Sequence, residues 1–414
     1  MYTALFWIII AILVCDFVLE TVLDYLNGKQ VSDKLPDEVS DIYDAEKYKK
    51  QQAYFKANQK FGTVVDIFSF VVMMLMFFLF GFAFVDNLVR GMVTHSLVIS
   101  LLFFAILYFA NELISIPFGL YKTFKIEEQF GFNKMTPGLF AMDTVKGWLM
   151  SIVLGGIIIS LIMLFYEKVG TNFWLIAWGL MALVNVFILM FYSNLIVPLF
   201  NKQTPLEDGE LRTEIEKFCL KVGYQLDNLY VIDGSKRTTK ANAYFTGLGA
   251  KKRIVLYDTL MDTLTTEEIV AVLAHEIGHY KHKHTRVMLI LSLLNIGLML
   301  YLLSLALGSP EEGNIYIAQA LGSNIPSFHF GVIVFGVLYT PISFLLNIGI
   351  NVISRKNEYQ ADTFAKENGL GDALGEALKK LSVSSLSNLN PHPAYVFFHY
   401  SHPTLLQRLN NLKK

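Results

Sequence analysis

Two histidines and a glutamate stand together in the segment Ala-His275-Glu276-Ile-Gly-His279. Apolar residues recur around them at helical spacing, and the preceding Thr265-Thr-Glu-Glu268 is typical of a helix N-terminus. Residues four apart on a helix share one face, so both imidazoles can reach one metal ion. This spacing is typical of catalytic zinc sites in which the glutamate activates the attacking water. The sequence predicts one zinc ion, with His275 and His279 as ligands and Glu276 as base.

A catalytic zinc ion usually takes three protein ligands, so a further ligand must come from elsewhere. Glu358 and Asp362 are four residues apart on a predicted helix near the C-terminus. Taken alone, this pair is more typical of a solvated acidic helix face. The need for a third ligand makes Glu358 a candidate for that role, with Asp362 as the candidate carboxylate that orients a ligand histidine through its other ring nitrogen, and the family resemblance described below decides between the two interpretations.

Four other side chains are weaker candidates. His402 and Arg408 lie in the tail, and a histidine or arginine near such a site can stabilise the oxyanion formed during hydrolysis. Their spacing alone leaves that role open. His282 and His284 follow the zinc motif but are predicted to point to other faces of the helix, with His284 at the rim of the site and His282 at the surface.

The elements that must position these residues lie largely in a membrane. Hydrophobic residues make up 54% of the 414 residues and charged residues 17%, against roughly a quarter charged in ordinary globular proteins. Such a chain has more apolar surface than one water-soluble core can hide. A net charge of −1 gives no indication of nucleic-acid binding. The two cysteines, Cys15 and Cys219, form neither a disulfide framework nor a zinc-finger pattern.

Apolar stretches are long enough to cross a hydrocarbon core, which takes about 20 helical residues. We predict seven transmembrane helices at residues 3–25, 63–86, 95–119, 147–166, 173–198, 287–307 and 329–352. The first stretch lacks the basic start and cleavage site of a signal peptide, which favours a retained helix. Within the third, Asn111 and Glu112 are predicted to face a chamber or a neighbouring helix, because lipid would penalise them.

Lysine and arginine set the predicted orientation. They are frequent in the loops at 28–61 and 120–146 and sparse in the alternating loops. The first, third and fifth loops and the tail are therefore predicted to be cytosolic. This arrangement brings residues 200–286 and 354–414 to one face of the membrane, where they can build one site.

We predict four parts along the chain. Residues 1–199 contain helices one to five, and residues 200–286 form the metalloprotease domain with the zinc motif. Residues 287–353 contain helices six and seven, and residues 354–414 form a helical part that supplies the third ligand. Within the second part, short strands are predicted at Leu229–Asp233 and Arg253–Tyr257.

The segment Ala241–Gly247, between these strands and just before the zinc helix, is predicted to be extended. Substrate backbone can add as a strand to such an edge. Asn242 and Ala243 are the candidate substrate-binding residues there. An ordinary turn role for Asn242 is equally compatible with the sequence.

Sequence blocks outside the zinc motif resemble the CAAX prenyl protease 1 family, integral-membrane gluzincin proteases that trim the C-termini of prenylated proteins. Together with the predicted helices, these blocks cover nearly the whole chain. They are Glu127–Lys134, Pro198–Pro205, Gly234–Arg237, Asn242–Phe245, Lys252–Leu260, Glu358–Asp362 and Tyr400–Leu409.

The resemblance implies seven tilted helices forming a barrel around a water-filled chamber, closed at the cytosolic end by a small α+β gluzincin domain. It implies zinc bound by His275, His279 and Glu358, and hydrolysis of the peptide bond after the prenylated cysteine of a C-a-a-X tail. It also places His402, Arg408 and Asn242 close to prenylated C-terminal peptide substrates.

Two other functions remain open from the sequence. A membrane quality-control zinc protease would use the same chemistry, although such enzymes usually have fewer helices. A scaffold or channel that had lost catalysis would be expected to have lost one of the zinc-site residues. The two lysines at the extreme C-terminus, Lys413 and Lys414, stand one or two positions too late for a retrieval signal. Both the endoplasmic reticulum and a bacterial inner membrane are compatible with the chain, and its oligomeric state is not specified.

Overall fold

A computed structural model of the protein describes residues 2–31, 40–226, 228–246 and 253–414. Its helices are α1 (Ala4–Lys29), α2 (Ala45–Phe78), α3 (Gly81–Arg90), α4 (Ser96–Tyr121), α5 (Pro137–Met150), α6 (Gly156–Val169), α7 (Phe173–Phe191), α8 (Val197–Phe200), α9 (Glu210–Lys221), α10 (Asp258–Thr263), α11 (Thr266–Lys281), α12 (His284–Leu307), α13 (Ile315–Ala320), α14 (Phe328–Glu367), α15 (Gly371–Ser384), α16 (Pro393–His399) and α17 (Leu405–Lys413). Its strands are β1 (Gln203–Pro205), β2 (Leu229–Ile232), β3 (Ala243–Thr246) and β4 (Arg253–Tyr257).

The chain is a multi-pass α-helical protein, as predicted. Among the described residues, six helical segments are long and apolar enough to cross a membrane. One of them, Pro137–Phe200, runs for 64 residues and contains the 3₁₀ turn Gly170–Asn172. This segment includes two of the seven predicted helices, and α6 packs against α7 across the turn. The barrel around a chamber stays a prediction.

The second predicted helix ends earlier than residue 86. Helix α2 stops at Phe78, and Phe80 adopts a left-handed conformation with φ 53° before α3 begins. Of the two polar residues predicted inside the third helix, Asn111 is exposed, whereas Glu112 contacts a neighbouring helix. Trp148 of α5 donates its indole N–H to Glu112 Oε2 at 2.8 Å, which satisfies that carboxylate.

The four described strands form one sheet in the order β1-β2-β4-β3. Strands β2 and β4 are parallel, and the two outer strands pair antiparallel to them. The strands predicted at 229–233 and 253–257 are confirmed within one residue. Apolar side chains of the sheet, α9, α11 and α15 form one core that includes Leu256 and Leu273. The metal-binding motif therefore lies on a helix buried against a sheet.

A buried polar cluster ties together α3, α4 and α14. His329 Nε2 lies 3.0 Å from Asp86 Oδ1, and His329 Nδ1 lies 3.0 Å from Ser100 Oγ. Arg90 donates to Asp86 Oδ2 at 2.8 Å. The Asp86 side chain has no exposed surface. Its contacts with His329 and Arg90 therefore lie in a low-dielectric environment, where they are strong.

We expect Asp86→Ala to lower the free energy of unfolding by about 3–5 kcal/mol, because Arg90 and His329 lose their common partner. Thermal unfolding in detergent is the measurement. Asp262→Ala, which removes an exposed carboxylate, is the control and should shift the midpoint little. Equal midpoints for the two variants would contradict a stabilising role of the cluster.

Candidate metal centre

Helix α11 carries the metal-binding motif and begins at the predicted capping box. Glu268 N donates to Thr265 Oγ1, and Thr265 N donates to Glu268 Oε2. Lys380 of α15 also donates to Glu268 Oε2, at 2.8 Å. Burial alone would raise the pKa of Glu268, but the bonds from Lys380 and Thr265 outweigh it and hold that pKa below its ordinary value. The charged glutamate thus fixes the start of α11 against α15.

Three side chains from α11 and α14 converge on one point. His275 Nε2 and His279 Nε2 lie 3.1 Å apart. Glu358 Oε2 is 3.4 Å from the first nitrogen, and Glu358 Oε1 is 3.3 Å from the second. His275 and Glu358 are buried, and His279 is partly exposed. Two imidazole nitrogens and a carboxylate oxygen thus face one another, as the sequence predicts for a metal site.

The residues present fit a zinc ion. Two histidines and one glutamate form a donor set that catalytic zinc uses. Glu358 Oε2 is also a buried oxygen that accepts no hydrogen bond from the described residues. A buried charged oxygen without a hydrogen bond is costly unless a cation lies beside it. Burial would lower the pKa of His275, but the hydrogen bond with Asp362 and the nearby Glu358 carboxylate outweigh it and raise that pKa above its ordinary value.

A carboxylate orients the first histidine. Asp362 Oδ1 lies 2.9 Å from His275 Nδ1, which therefore carries the proton and leaves Nε2 free to bind a metal. Arg408 holds Asp362 in turn through two hydrogen bonds, of 3.0 Å and 2.6 Å. Asp362 has no exposed surface. Its position is the one predicted for a residue that orients a ligand histidine.

A second chain of hydrogen bonds orients the other histidine, and the sequence does not predict it. His279 Nδ1 lies 2.9 Å from His284 Nδ1, and His284 Nε2 lies 2.9 Å from Gln360 Oε1. For Nε2 of His279 to face a metal as a lone pair, its Nδ1 must donate to His284. His284 then donates from Nε2 to the amide oxygen of Gln360. One consistent assignment of protons therefore satisfies all three groups.

His284 contacts the site, as its predicted place at the rim allows, but the prediction that it points to another face of the same helix is wrong. Helix α11 ends at Lys281, and Lys283 takes a left-handed conformation with φ 60°. The chain turns there and starts α12 at His284, which brings that side chain back toward His279. His284 is buried, whereas His282 is exposed as predicted. The sequence pattern did not predict this break in the helix, because a lysine is not a typical helix-ending residue.

We expect His284→Phe to weaken zinc binding by about 10–100-fold, the usual effect of removing a group that orients a ligand histidine. Zinc content after dialysis against a chelator of known strength measures this. The adjacent exposed residue supplies the control, His282→Phe, which should bind zinc like the wild type. Equal zinc retention in both variants would show that His284 does not orient His279.

Gly278 sets the distance between the two helices that carry the ligands. A Cβ at this position would lie 3.0 Å from Ala361 Cα and 3.2 Å from Ala361 O. Both atoms belong to the backbone of α14, so no side-chain movement relieves the contact. Gly278 follows Glu276 by two residues, and Ala361 follows Glu358 by three. The absence of a side chain therefore lets Glu358 reach the histidines.

We expect Gly278→Ala to cost about 1–3 kcal/mol of stability through overpacking, and to lower zinc affinity because α14 must move away. Thermal unfolding and zinc content together measure the effect. Gly138→Ala is the control, because a Cβ there meets no atom within 4 Å. Unchanged zinc content in Gly278→Ala would mean that the helix spacing does not control the site.

The remaining predicted catalytic residues lie beside the ligands. Glu276 is half-buried on α11. His402 Nε2 lies 3.3 Å from Glu358 Oε1, and 63% of its side chain is exposed. Arg408 differs, since 12% of its side chain is exposed and Nη1 lies 3.6 Å from Glu358 Oε2. A cavity of about 500 Å³ opens on His402 and Arg408. The structure thus brings every predicted catalytic residue to one place.

The predicted substrate-binding residues stand at the start of an edge strand. Ala243 opens β3, which in the described part of the sheet pairs only with β4. Asn242 is exposed, and its carbonyl accepts from Tyr257 N at 3.0 Å. Its side-chain oxygen accepts from Ala243 N at 2.9 Å, a local turn contact. Gly247, the predicted end of this extended segment, lies outside the described residues.

A partly buried lysine anchors the approach to this strand, and sequence reasoning missed it. Lys240 Nζ lies 3.0 Å from Glu127 Oε2 and 2.9 Å from Tyr54 OH, with the Phe132 ring centroid at 4.4 Å. Burial would lower the pKa of Lys240, but these hydrogen bonds outweigh it and raise that pKa. The block Glu127–Lys134 was the only sequence signal. These contacts join the membrane helices to the segment that enters β3.

Two family models match the chain. Residues 24–202 match the CAAX prenyl protease N-terminal family, described as five membrane helices. Residues 205–414, slightly more than half of the chain, match peptidase family M48. The boundary between the matches falls at the start of β1, where the membrane helices give way to the sheet.

Full-length relatives share this organisation. CAAX prenyl protease 1 of Saccharomyces cerevisiae is 34% identical over 96% of this chain and 93% of its own length. The CAAX prenyl protease 1 homolog of Dictyostelium discoideum is 36% identical over 94% and 93%. The crystal structure of S. mikatae Ste24p superposes with a TM-score of 0.91 at 35% identity, covering 99% of both chains. The chain therefore belongs to the CAAX prenyl protease 1 group of peptidase family M48.

Proposed function

We propose that this membrane metalloendopeptidase binds one zinc ion and removes the C-terminal aaX tripeptide of prenylated CAAX proteins. The convergence of His275, His279 and Glu358 on one point carries the zinc assignment. The substrate class rests on relatives named CAAX prenyl protease 1 that match nearly the full length of the chain. No observation in the described structure favours a quality-control or scaffold role.

Glu276 acts as the base in this proposal. When bound, zinc supplies a Lewis acid for the scissile carbonyl and lowers the pKa of the attacking water to about 7. Glu276 directly follows the ligand histidine His275 on the same helix. The helix therefore holds its carboxylate next to the metal site, where it can accept a proton. It takes a proton as the water attacks and delivers it to the leaving amine nitrogen.

Three further residues stabilise the oxyanion or orient the metal ligands in this proposal. His402 is exposed beside Glu358, so its ring can donate a hydrogen bond to the oxyanion that forms on the substrate carbonyl. Arg408 was predicted in the same role, and its main contacts are with Asp362. We therefore infer that Arg408 supports the site through Asp362 and adds positive charge near the developing oxyanion. Asp362 keeps the His275 ring turned toward the metal.

The substrate peptide adds to β3 as a further strand in this proposal. The outer edge of β3 presents backbone groups that can bond an extended chain. Asn242 and Ala243 lie at the end of that edge, ahead of the zinc helix in sequence. This arrangement binds main chain rather than particular side chains, so the prenyl group must contribute much of the selectivity.

The catalytic part is assigned to residues 200–286 together with residues 354–414, and the membrane part to residues 1–199 and 287–353. The excess of lysine in the first and third loops supports a cytosolic catalytic face. The host membrane would be the endoplasmic reticulum in a eukaryote or the inner membrane in a bacterium. Lipid surrounds the helices in either case.

The decisive experiment compares a farnesylated C-a-a-X peptide with its unprenylated twin, using purified wild-type protein. Cleavage of the farnesylated peptide after its cysteine, with little cleavage of the twin, is the expected result. Mass spectrometry of the products identifies the bond that is cut. Equal cleavage of both peptides would favour the quality-control protease, and no cleavage of either would favour a scaffold.

A further inference from the structure

A basic cavity lies beside the sheet, away from the metal centre. It has a volume of about 530 Å³ and is lined by four cationic side chains, from Lys146, Lys202, Lys236 and Arg253. One carboxylate, from Asp233, also lines it. Four positive charges and one negative charge leave a net charge of about +3 at the cavity, in a chain whose formal net charge is −1.

These charges are largely uncompensated. Within the described ranges, none of the four cations lies within 4.0 Å of a carboxylate oxygen. Asp233 Oδ1 instead accepts hydrogen bonds from Asn201 Nδ2 and Lys202 N, each at 2.9 Å. The Asp233 carboxylate therefore binds groups of the turn before β1 rather than the cationic side chains. Lys202 and Lys236 are exposed.

Arg253 is held in place by two contacts. Arg253 donates from Nη1 to Gln203 Oε1 at 3.0 Å, and its guanidinium lies 4.1 Å from the Tyr230 ring centroid. A stacked, planar guanidinium is preorganised to bind a phosphate through two hydrogen bonds. The two exposed lysines can close over the same anion. Arg253 together with Lys202 and Lys236 can therefore bind one phosphate group.

The ends of the predicted apolar stretches place the cavity at the membrane surface. Lys146 immediately precedes the apolar stretch 147–166, and Leu199 follows the stretch 173–198. Lys146 Nζ donates to Leu199 O at 2.7 Å, so the two helices meet where their apolar stretches end. Pro198, Leu199 and Phe200 line the same cavity and give it an apolar side. This is the depth at which lipid headgroups meet acyl chains.

We propose that this cavity binds the anionic headgroup of a phospholipid from the leaflet on the side of the metal centre. Basic pockets between membrane helices bind such headgroups by charge and hydrogen bonding. The acyl chains would lie along the apolar faces of α5 to α8. An acidic protein segment would meet the positive charge equally well but would have no use for the apolar side of the cavity.

The binding site leaves the substrate edge free. The cavity lies against β1 and β2, through Gln203 and Tyr230, whereas the proposed substrate strand adds to β3 at the other edge of the sheet. A bound headgroup would fasten the sheet to the membrane helices by touching Lys146 on one side and Arg253 on the other. Its role is anchorage rather than chemistry.

The test measures lipid binding to the full-length protein in detergent by native mass spectrometry. Phosphatidylcholine, phosphatidylserine and phosphatidylinositol 4-phosphate are titrated separately. We expect the anionic lipids to bind more tightly than phosphatidylcholine. The double variant Lys202→Gln/Lys236→Gln should lose about thirtyfold in affinity for them, since each basic residue near a membrane surface contributes about a five- to sixfold gain.

The matched control is Lys49→Gln/Lys50→Gln, which removes the same charge from exposed lysines of α2 outside the cavity. It should bind anionic lipid like the wild type, and cleavage of the farnesylated peptide checks that both variants are folded. Equal affinity of the two double variants would overturn the proposal. So would displacement of the lipid by inorganic phosphate or by an acidic peptide at the concentration of the lipid, because either result assigns the cavity to a soluble anion.

Discussion

Glu276→Gln is expected to lower kcat/KM for a farnesylated C-a-a-X peptide by about a hundredfold to ten-thousandfold. The variant keeps the size and hydrogen-bonding shape of the side chain but cannot accept a proton. The zinc ligands are untouched, so one zinc ion per chain should remain after purification. The combination of full metal and little activity is the signature of a missing base.

The control is Glu267→Gln, an exposed glutamate in the first turn of the same helix. It removes the same charge from α11 and should leave both activity and metal content unchanged. Activity near the wild-type value in Glu276→Gln would contradict the role of Glu276 as base. Loss of zinc in that variant would instead show that Glu276 helps to hold the metal.

Glu358→Gln is expected to lose the metal as well as the activity. The change removes the only charged oxygen among the three ligands and leaves two histidines facing a neutral amide. The fall in zinc affinity should exceed the roughly 10–100-fold caused by loss of an orienting residue. Zinc content and zinc-dependent recovery of cleavage measure it, and added zinc should restore part of the activity.

A glutamate near the end of the same helix, Glu367, provides the comparison, because it is exposed and remote in sequence from the ligands. Glu367→Gln should retain zinc and activity. Unchanged zinc content in Glu358→Gln would refute its role as a ligand, whatever happened to the rate. The two glutamate variants of the site therefore separate catalysis from metal binding, since only one of them should be rescued by zinc.

Local sequence patterns predicted much of the site. His275, Glu276 and His279 follow from spacing on one helix, and the capping box at Thr265 marks where that helix begins. Glu358 and Asp362 are also four residues apart on one predicted helix face. Their assignment further used the number of ligands that zinc needs and the resemblance to the family. Spacing within one helical turn predicts which of these side chains share a helix face, whereas the meeting of Glu358 with the two histidines is seen only in the structure.

Features that depend on a break or on a partner escaped prediction. His284 reaches His279 only because the chain turns at Lys283, and no pattern in the sequence announces that turn. The importance of Gly278 depends on the backbone of a helix about 80 residues later, as the contact with Ala361 shows. The early end of α2 escaped prediction for a similar reason. Apolar residues continue past Phe80, but the helical backbone conformation is interrupted there.

The helix α14 contains both an apolar membrane-spanning stretch and the last metal ligand, within the single run Phe328–Glu367. Along the described residues, Glu358 is therefore synthesised after the five other candidate membrane segments, and well after His275 and His279. A partly inserted chain carries a histidine pair but no complete centre. Under the proposed zinc assignment, the centre can therefore form only after the last of these apolar helices has been synthesised.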